Sequence, residues 1–285
     1  GINHPELKQQ TADYYNCMAR LDDLVGELLA KLKASGKYDD TLIVYMGDHG
    51  ADLIRGKRTC YEGGVRVPLI VRLPKGKAGQ ERRELVSSLD LFPTFLEMSG
   101  AEPVPDLPGS SLLPLLRGEK PKWRQYMPTE FHLHSAHNYY PQRAIRNDRY
   151  KLIENLQPGE VDPGYEFTVN RFFGQQVLAA LPRAPKKVQV AYALMKRPPK
   201  YQLYDLQMDP YEFVNLAKDP AHRSAFDELS TELTRWRRAT HDPLLNQDNV
   251  SRLKAEIDAI RQGNDFNKAK IGQWKYPEYF FKKGN

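Results

Sequence analysis

Cysteines and long apolar runs are both scarce in this chain of 285 residues. It has only two cysteines, Cys17 and Cys60, in dissimilar settings, so the sequence predicts no disulfide framework and leaves the redox compartment open. We expect Cys17 to pack as a small apolar residue. No stretch approaches the roughly 18 uninterrupted apolar residues that a membrane helix needs. The N-terminal residues do not read as a signal peptide either. The sequence therefore predicts no membrane partner.

The positive net charge of +6 is spread along the chain, with one dense stretch from Arg183 to Lys200 that holds no acidic residue. No helix-turn-helix, zinc-finger or RNA-binding fingerprint accompanies it. We therefore expect no nucleic-acid partner. A solvated face and the attraction of a sulfated polyanion both stay open for this stretch.

Apolar periodicity predicts one long helix and a buried strand in the first part of the chain. Residues at three- and four-residue steps give an apolar stripe over Pro5 to Ser35, which we expect to pack into the core. Leu42 to Met46 run without alternation, as in a parallel strand that is covered on both faces. A helix predicted at Ser87 to Met98 continues the alternation, which indicates a doubly wound α/β sheet with helices on both faces.

Asp48 and His49 follow this strand directly, and Lys57 lies in the next loop. In an open α/β sheet, ligands bind beyond the carboxyl ends of the strands. An acid, an imidazole and a cation at that point indicate a site for a metal and an anionic group. From spacing alone, a capping role for Asp48 and solvated positions for His49 and Lys57 stay open.

The motifs around these residues resemble type I sulfatases of the alkaline-phosphatase superfamily. They are GDHG at Gly47–Gly50 and GK-x4-EGGVRVPLIV from Gly56. The resemblance implies that Asp48 and His49 are metal ligands and that Lys57 contacts the sulfate. It also implies a divalent metal, most simply Ca²⁺ with its oxygen ligands, with Zn²⁺ or Mn²⁺ open because imidazole suits them better. The heparan N-sulfatases generally have Asn where this chain has His49.

Later segments extend the resemblance. LYDLQMDPYEFVNLAKDP at Leu203–Pro220 and RAIRNDRYKLIEN at Arg143–Asn155 are similar to the sulfatase C-terminal subdomain, and shorter matches favour the heparan N-sulfatase (sulfamidase) branch. We expect the last part of the catalytic α/β domain at residues 1–125. A C-terminal α+β subdomain with an antiparallel sheet is expected at 126–245, with an insertion near 158–199 that holds one helix near Phe172 to Leu181. An extension follows at 246–285.

The resemblance also shows what the sequence lacks. The family's formylglycine nucleophile comes from the Cys of a C-x-P-S-R motif, and neither Cys17 nor Cys60 lies in one. The paired N-terminal aspartates that supply other metal ligands are missing too. We therefore expect the C-terminal portion of a sulfatase, inactive alone, which associates with the N-terminal half or with itself.

Further residues are expected near the substrate by resemblance: Arg58, His134, His137, Arg143 and His241. Glu62 is a candidate to orient Lys57 or Arg58, or an ordinary loop carboxylate. The implied substrate is a sulfated carbohydrate of glycosaminoglycan type, cleaved at a sulfate ester or N-sulfate. A phosphoester or phosphonate hydrolase of the same superfamily and a non-catalytic glycan-binding remnant stay open. The resemblance implies a periplasmic, secreted or lysosome-like location.

Overall fold

The computed structural model describes residues 2–76, 79–134, 138–171, 174–262, 275 and 278. The chain forms two compact units. The first unit takes Pro5–Asp48 and Val67–Met127, and the second unit takes the residues up to His4, His49–Arg66 and the chain from Pro128 onward. The chain thus leaves the first unit after Asp48 and returns to it at Val67. The domain boundaries expected near 125 and 245 stay predictions.

The first unit contains three helices and a two-stranded sheet. Its elements are α1 (Pro5–Ala34), β1 (Ile43–Met46), β2 (Leu69–Arg72), α3 (Leu91–Ser99) and α4 (Leu113–Leu116), with 3-10 turns at Tyr38–Asp40 and Ser88–Asp90. Helix α1 confirms the predicted helix at Pro5 to Ser35. The expected core packing of its apolar stripe is wrong for this chain, because no residue of α1 is buried.

Strands β1 and β2 pair antiparallel, with Ile43 opposite Arg72 and Met46 opposite Leu69. The expectation of a parallel partner and of cover on both faces is wrong for this pair. Ile70 is 64% exposed, and no residue of β1 is buried. A continuous apolar run indicates that a strand can be covered, but it does not determine the direction of the neighbouring strand.

Helix α3 is held by a buried carboxylate. The Asp90 side chain accepts from the Ser87 backbone N–H, which completes a capping box, and from the Ser110 backbone N–H. Both of its oxygens also accept from the Arg124 guanidinium, at 2.5 and 2.6 Å. Gly100 ends the helix in the left-handed region, at φ +70. The helix predicted at Ser87 to Met98 is confirmed, and Ser87 caps the 3-10 turn that leads into it.

The second unit is built on a four-stranded sheet in the order β3-β4-β5-β6. The strands are β3 (Met127–Phe131), β4 (Gln142–Arg146), β5 (Tyr150–Asn155) and β6 (Tyr201–Asp205). The pairs β4–β5 and β5–β6 are antiparallel, with Ala144 opposite Ile153 and Ile153 opposite Gln202. The predicted small antiparallel sheet is confirmed. Its central strands are buried because helices and the loop after Asp48 cover them.

Helices surround this sheet. They are α2 (Glu62–Val65), α5 (Pro163–Val169), α6 (Gly174–Ala180), α7 (Lys186–Lys196), α8 (Arg223–Ala239) and α9 (Gln247–Gln262). The described part of the 158–199 segment contains three helices rather than the one expected, because Pro163 and Pro185 allow two further helix starts. Phe172 and Phe173 lie outside the described residues. Within the described part of the chain, no helix is long and apolar enough to cross a membrane.

Candidate active-site loop

The backbone of the loop His49–Arg66, here called the active-site loop, folds tightly on itself. The Gly50 N–H donates to the Gly64 carbonyl at 2.9 Å. A Cβ on Gly50 would lie 1.7 Å from the Gly63 carbonyl oxygen, and one on Gly64 would lie 2.4 Å from the Thr59 carbonyl oxygen. Only glycine permits such close backbone contacts. The GDHG and EGG motifs therefore shape the loop by allowing its two ends to meet.

Glu62 connects the active-site loop to the sheet through two ion pairs. Its carboxylate accepts from Arg146 of β4 at 2.6 Å and from Lys151 of β5 at 3.0 Å. Burial acts to raise the Glu62 pKa, but the charges of Lys151 and Arg146 outweigh it and the pKa is lowered. The expectation that Glu62 orients Lys57 or Arg58 is therefore replaced by an anchoring role.

A second buried carboxylate completes this anchor. Glu212 is 2% exposed, accepts from the Glu62 backbone N–H at 2.7 Å and lies 3.4 Å from the Lys151 ammonium. Burial raises the Glu212 pKa, and the Lys151 charge opposes that rise. The Lys151 ammonium thus bridges two carboxylates in a site that excludes water.

Arg55 is fixed between the loop and the segment after β6. Its guanidinium donates to the Glu212 carbonyl at 2.7 Å and lies 4.0 Å from the centre of the Tyr61 ring. Arg55 and Arg58 both have positive φ angles, 65 and 74, which non-glycine residues adopt only when their surroundings enforce it. Two arginine contacts thus hold the backbone on either side of Lys57.

Arg58 forms an ion pair with Asp52 inside the active-site loop. Its guanidinium donates to both carboxylate oxygens of Asp52, and its side chain is only 5% exposed. The hydrogen bond from Arg58 is the main cause that lowers the Asp52 pKa. The structure therefore gives Arg58 a supporting role within the loop, where sequence reasoning expected a substrate contact. No sequence pattern indicated a role for Asp52, because its spacing of six residues from Arg58 matches no regular element.

Lys57, in contrast, is partly exposed. Its backbone N–H donates to the Ala51 carbonyl at 2.9 Å, which closes the turn that carries it. The exposed His134 follows β3, and its backbone N–H donates to the Asn138 side chain at 2.9 Å. Burial lowers the His134 pKa, and the charges of Lys57 and Arg58 lower it further. The structure thus brings Lys57, Arg58 and His134 into one electrostatic environment.

The expected metal ligands are Asp48 and His49. Both are exposed, and the His49 Nδ1 lies 2.9 Å from the Gly50 carbonyl oxygen. Asp48 ends a segment of the first unit, and His49 begins the active-site loop. Among the described residues, no group of three or more His, Cys, Asp and Glu could hold a metal ion. Two donors do not complete the shell of calcium, with six to eight ligands, or of zinc, with about four.

Arg143 and His241, which are also expected to contact the substrate, lie outside the active-site loop. Arg143 of β4 is fully buried, and its guanidinium donates to both oxygens of Asp242 at 2.8 Å. Asp242 also accepts from Arg237 at 2.7 Å. Burial acts to raise the Asp242 pKa, but Arg143 and Arg237 lower it to about 2. Arg143 therefore connects the sheet to Asp242, which follows α8, and its expected substrate contact stays a prediction. His241 is exposed, and His137 lies outside the described residues.

The two cysteines differ in their surroundings. Cys60 is fully buried in the core of the second unit, and burial raises its thiol pKa to about 11. Cys17 is exposed on α1, so its expected apolar packing is wrong. A thiol that is buried and protonated cannot act as a nucleophile.

Comparison with known proteins gives consistent matches. A sulfatase family model matches residues 3–101. The chain is 32% identical over 248 residues to an ulvan-active sulfatase from Formosa agariphila, covering 83% of this chain and 39% of that protein. It is 31% identical over 262 residues to N-sulphoglucosamine sulphohydrolase from Homo sapiens, covering 85% and 50% respectively. The solved structure of a 2-O GAG sulfatase matches with a TM-score of 0.60 at 25% identity, over 78% of this chain and 41% of that one.

These matches and the mixed α/β architecture place the chain in the alkaline-phosphatase superfamily. Within that superfamily, the chain belongs to the sulfatase family. The resemblance and the fold class read from the sequence are thereby confirmed. The chain spans 39% and 50% of the lengths of the two relatives named.

Proposed function

We propose that this chain supplies the sulfate-binding loop of a sulfatase that hydrolyses sulfate ester or N-sulfate groups of a glycosaminoglycan-like carbohydrate. One observation carries the proposal. In the active-site loop the neighbouring Arg55 and Arg58 are both buried in internal contacts, and Lys57 between them remains partly exposed. Between these two arginines the loop therefore presents the Lys57 cation on a backbone that close glycine contacts and the Glu62 anchor hold in place.

Lys57 fits the role of a sulfate ligand. A sulfate monoester or sulfamate carries negative charge that shifts during cleavage, and a preorganised cation stabilises that shift without reorganising at the moment of reaction. In this proposal the Lys57 ammonium binds a sulfate oxygen and assists protonation of the leaving group. Asp52 acts through Arg58 by fixing the turn, so it is a positioning residue.

The nucleophile of this proposal lies on a segment outside these 285 residues. Cys60 is buried with a raised pKa, and Cys17 is exposed on α1, where its neighbours do not match the C-x-P-S-R motif. The relatives are also about twice as long as the matched chain. We therefore expect the isolated chain to be inactive.

The metal is part of the same proposal. Asp48 and His49 would contribute two ligands, and the additional segment would contribute the others. A divalent cation there would neutralise sulfate charge. The Asp48 carboxylate favours Ca²⁺, and the His49 imidazole leaves Zn²⁺ or Mn²⁺ as alternatives.

The first unit offers a surface for the additional segment. Exposed apolar side chains lie on α1, β2 and α3, including Leu24 at 62%, Leu28 at 66% and Ile70 at 64%. Exposed apolar groups in such number mark an interaction surface. We propose that the rest of the sulfatase fold covers it, with self-association as the competing outcome. A periplasmic, secreted or lysosome-like location is proposed from family membership.

The test is an assay of the purified chain with and without the segment that carries the nucleophile. Substrates are an aryl sulfate, N-sulfoglucosamine and an aryl phosphonate monoester. We expect turnover of the sulfated substrates only with the segment present, and Lys57→Ala then lowers kcat about a hundredfold. Lys218→Ala, at an exposed lysine outside the loop, is the matched control.

Three results would contradict parts of the proposal. Turnover by the homogeneous 285-residue chain would remove the need for another segment. Preference for the phosphonate would favour the alternative hydrolase. Unchanged kcat in Lys57→Ala would show that this cation does not contact the reacting group.

A further inference from the structure

Two guanidinium groups lie over a single aromatic ring beside the active-site loop. The Arg58 Cζ is 4.7 Å from the centre of the Phe167 ring, and the Arg171 Cζ is 4.2 Å from it. The two cations are therefore within about 9 Å of each other. Phe167 belongs to α5 and Arg171 follows that helix, so the segment after β5 brings a second arginine close to Arg58, the neighbour of Lys57 in the active-site loop.

The position of this ring is fixed by the packing of α5. Asp162 caps the helix by accepting from the Gly164 N–H at 2.7 Å, and Thr168 and Val169 are buried. Val169 packs in the same core cluster as Cys60 and Tyr61 of the active-site loop. After the helix, the Arg171 N–H donates to the Thr168 carbonyl at 3.2 Å. Helix and loop thus share one core.

The two arginines differ in how their charge is compensated. Arg58 is buried and both of its terminal nitrogens donate to Asp52. Arg171 is exposed, and among the described residues it forms no salt bridge with a carboxylate, although its guanidinium lies over the Phe167 ring. An arginine held on a ring loses less freedom when it binds an anion, and its planar fork suits sulfate or carboxylate.

We propose that Arg171, held on Phe167, forms a second anion subsite that binds a sulfate or carboxylate group of the substrate other than the one near Lys57. This inference rests on the proposed function and specifies its substrate class as a saccharide with at least two anionic groups. Arg171 is thus a specificity-determining residue, and Phe167 is a positioning residue.

The test compares binding of two defined sugars to the full chain by calorimetric titration: glucosamine 2-N,6-O-disulfate and N-sulfoglucosamine. We expect Arg171→Ala to weaken binding of the disulfate about fivefold, as for an exposed charge pair, and to leave the monosulfate unchanged. Arg171→Lys should recover part of the affinity. Phe167→Leu should resemble Arg171→Ala, because the ring no longer orients the guanidinium.

Arg183→Ala is the matched control, since Arg183 is an exposed arginine of the same inserted segment and its loss changes the net charge equally. Equal weakening by Arg183→Ala and Arg171→Ala would show general electrostatic attraction and overturn the subsite. Equal effects of Arg171→Ala on the binding of both sugars would also overturn the subsite. If the disulfate binds no better than the monosulfate, the subsite is rejected while the turnover assay still decides the proposed function. Absence of binding by either sugar also overturns the subsite, and the turnover assay with the additional segment still decides the proposed function.

Discussion

The two compact units of this chain differ most in where their apolar side chains lie. In the second unit, side chains from the sheet, the active-site loop and the helices form continuous cores that include Ile153, Tyr204 and Leu253, each at most 1% exposed. Among the described residues of the first unit, the buried apolar side chains are confined to α4 and the residue before it, Leu112, Leu113 and Leu115. Phe92, Phe95 and the apolar side of α1 remain exposed.

The comparison shows that one unit has its own core and that the other has little apolar burial of its own. A two-stranded sheet and a single long helix cannot cover much apolar surface, and small elements of this kind need further packing partners. The second unit has four strands and six helices among the described residues, and these elements provide packing partners for one another. The active-site loop belongs to the second unit.

The largest expected effect tests the buried charges of the second unit. Lys151→Ala should lower the free energy of unfolding by about 3 to 5 kcal/mol, because Glu62 and Glu212 would remain as buried carboxylates without their shared cation. Lys151→Met, which keeps the volume, should lose a similar amount. Chemical denaturation measures both.

Lys187→Ala provides the control, at an exposed lysine of α7 whose loss should cost less than about 0.5 kcal/mol. If Lys151→Met were as stable as the unmodified chain, the two carboxylates would be neutral in the folded state. Ion pairs of Lys151 with Glu62 and Glu212 would then not anchor the active-site loop.

A second prediction concerns pH. Asp162 is 4% exposed, and burial raises its pKa from 3.8 to about 7 despite hydrogen bonds from Gly164 and Tyr165. A carboxyl with a raised folded pKa contributes stability that is complete below about pH 4 and is lost as pH rises through about 7. Asp162→Asn keeps the helix cap without the charge. It should flatten this pH dependence and stabilise the chain at pH 8 by about 1 to 3 kcal/mol.

Thermal unfolding followed from pH 4 to pH 8 measures this effect. Asp219→Asn is the matched control, since Asp219 also caps a helical turn but its side chain is 42% exposed. It should show no gain at pH 8. A steeper loss of stability with pH in Asp162→Asn than in the unmodified chain would contradict the assignment.

The smallest change in stability is expected in the first unit. Leu28→Ala on α1 removes an exposed side chain and should change the free energy of unfolding by less than about 0.5 kcal/mol. Leu253→Ala in α9 removes a fully buried one and should cost about 2 to 5 kcal/mol. Leu24→Lys together with Leu28→Lys should also reduce self-association in sedimentation measurements. An equal cost for Leu28→Ala and Leu253→Ala would show that the α1 stripe is covered in solution.

Much of the local structure follows from the sequence alone. Periodicity predicts α1 and α3 within a few residues, because helix formation depends on neighbours three and four positions apart. The glycine motifs and the segment LYDL indicate the sulfatase family. The sulfate contact expected of Lys57 stays a prediction, and the structure leaves this lysine partly exposed between two buried arginines.

Other features are decided only by tertiary structure. The direction of β2 relative to β1, the partners of Glu62 and the burial of Arg143 all depend on contacts between residues far apart in the chain: Glu62 meets residues 84 and 89 positions away, and Arg143 meets one 99 positions away. A sequence motif specifies a residue type, but charge pairing is determined by which groups folding brings together in a site that excludes water. The resemblance implies substrate contacts for Arg58 and Arg143, but only the fold shows that their guanidinium groups pair with Asp52 and Asp242.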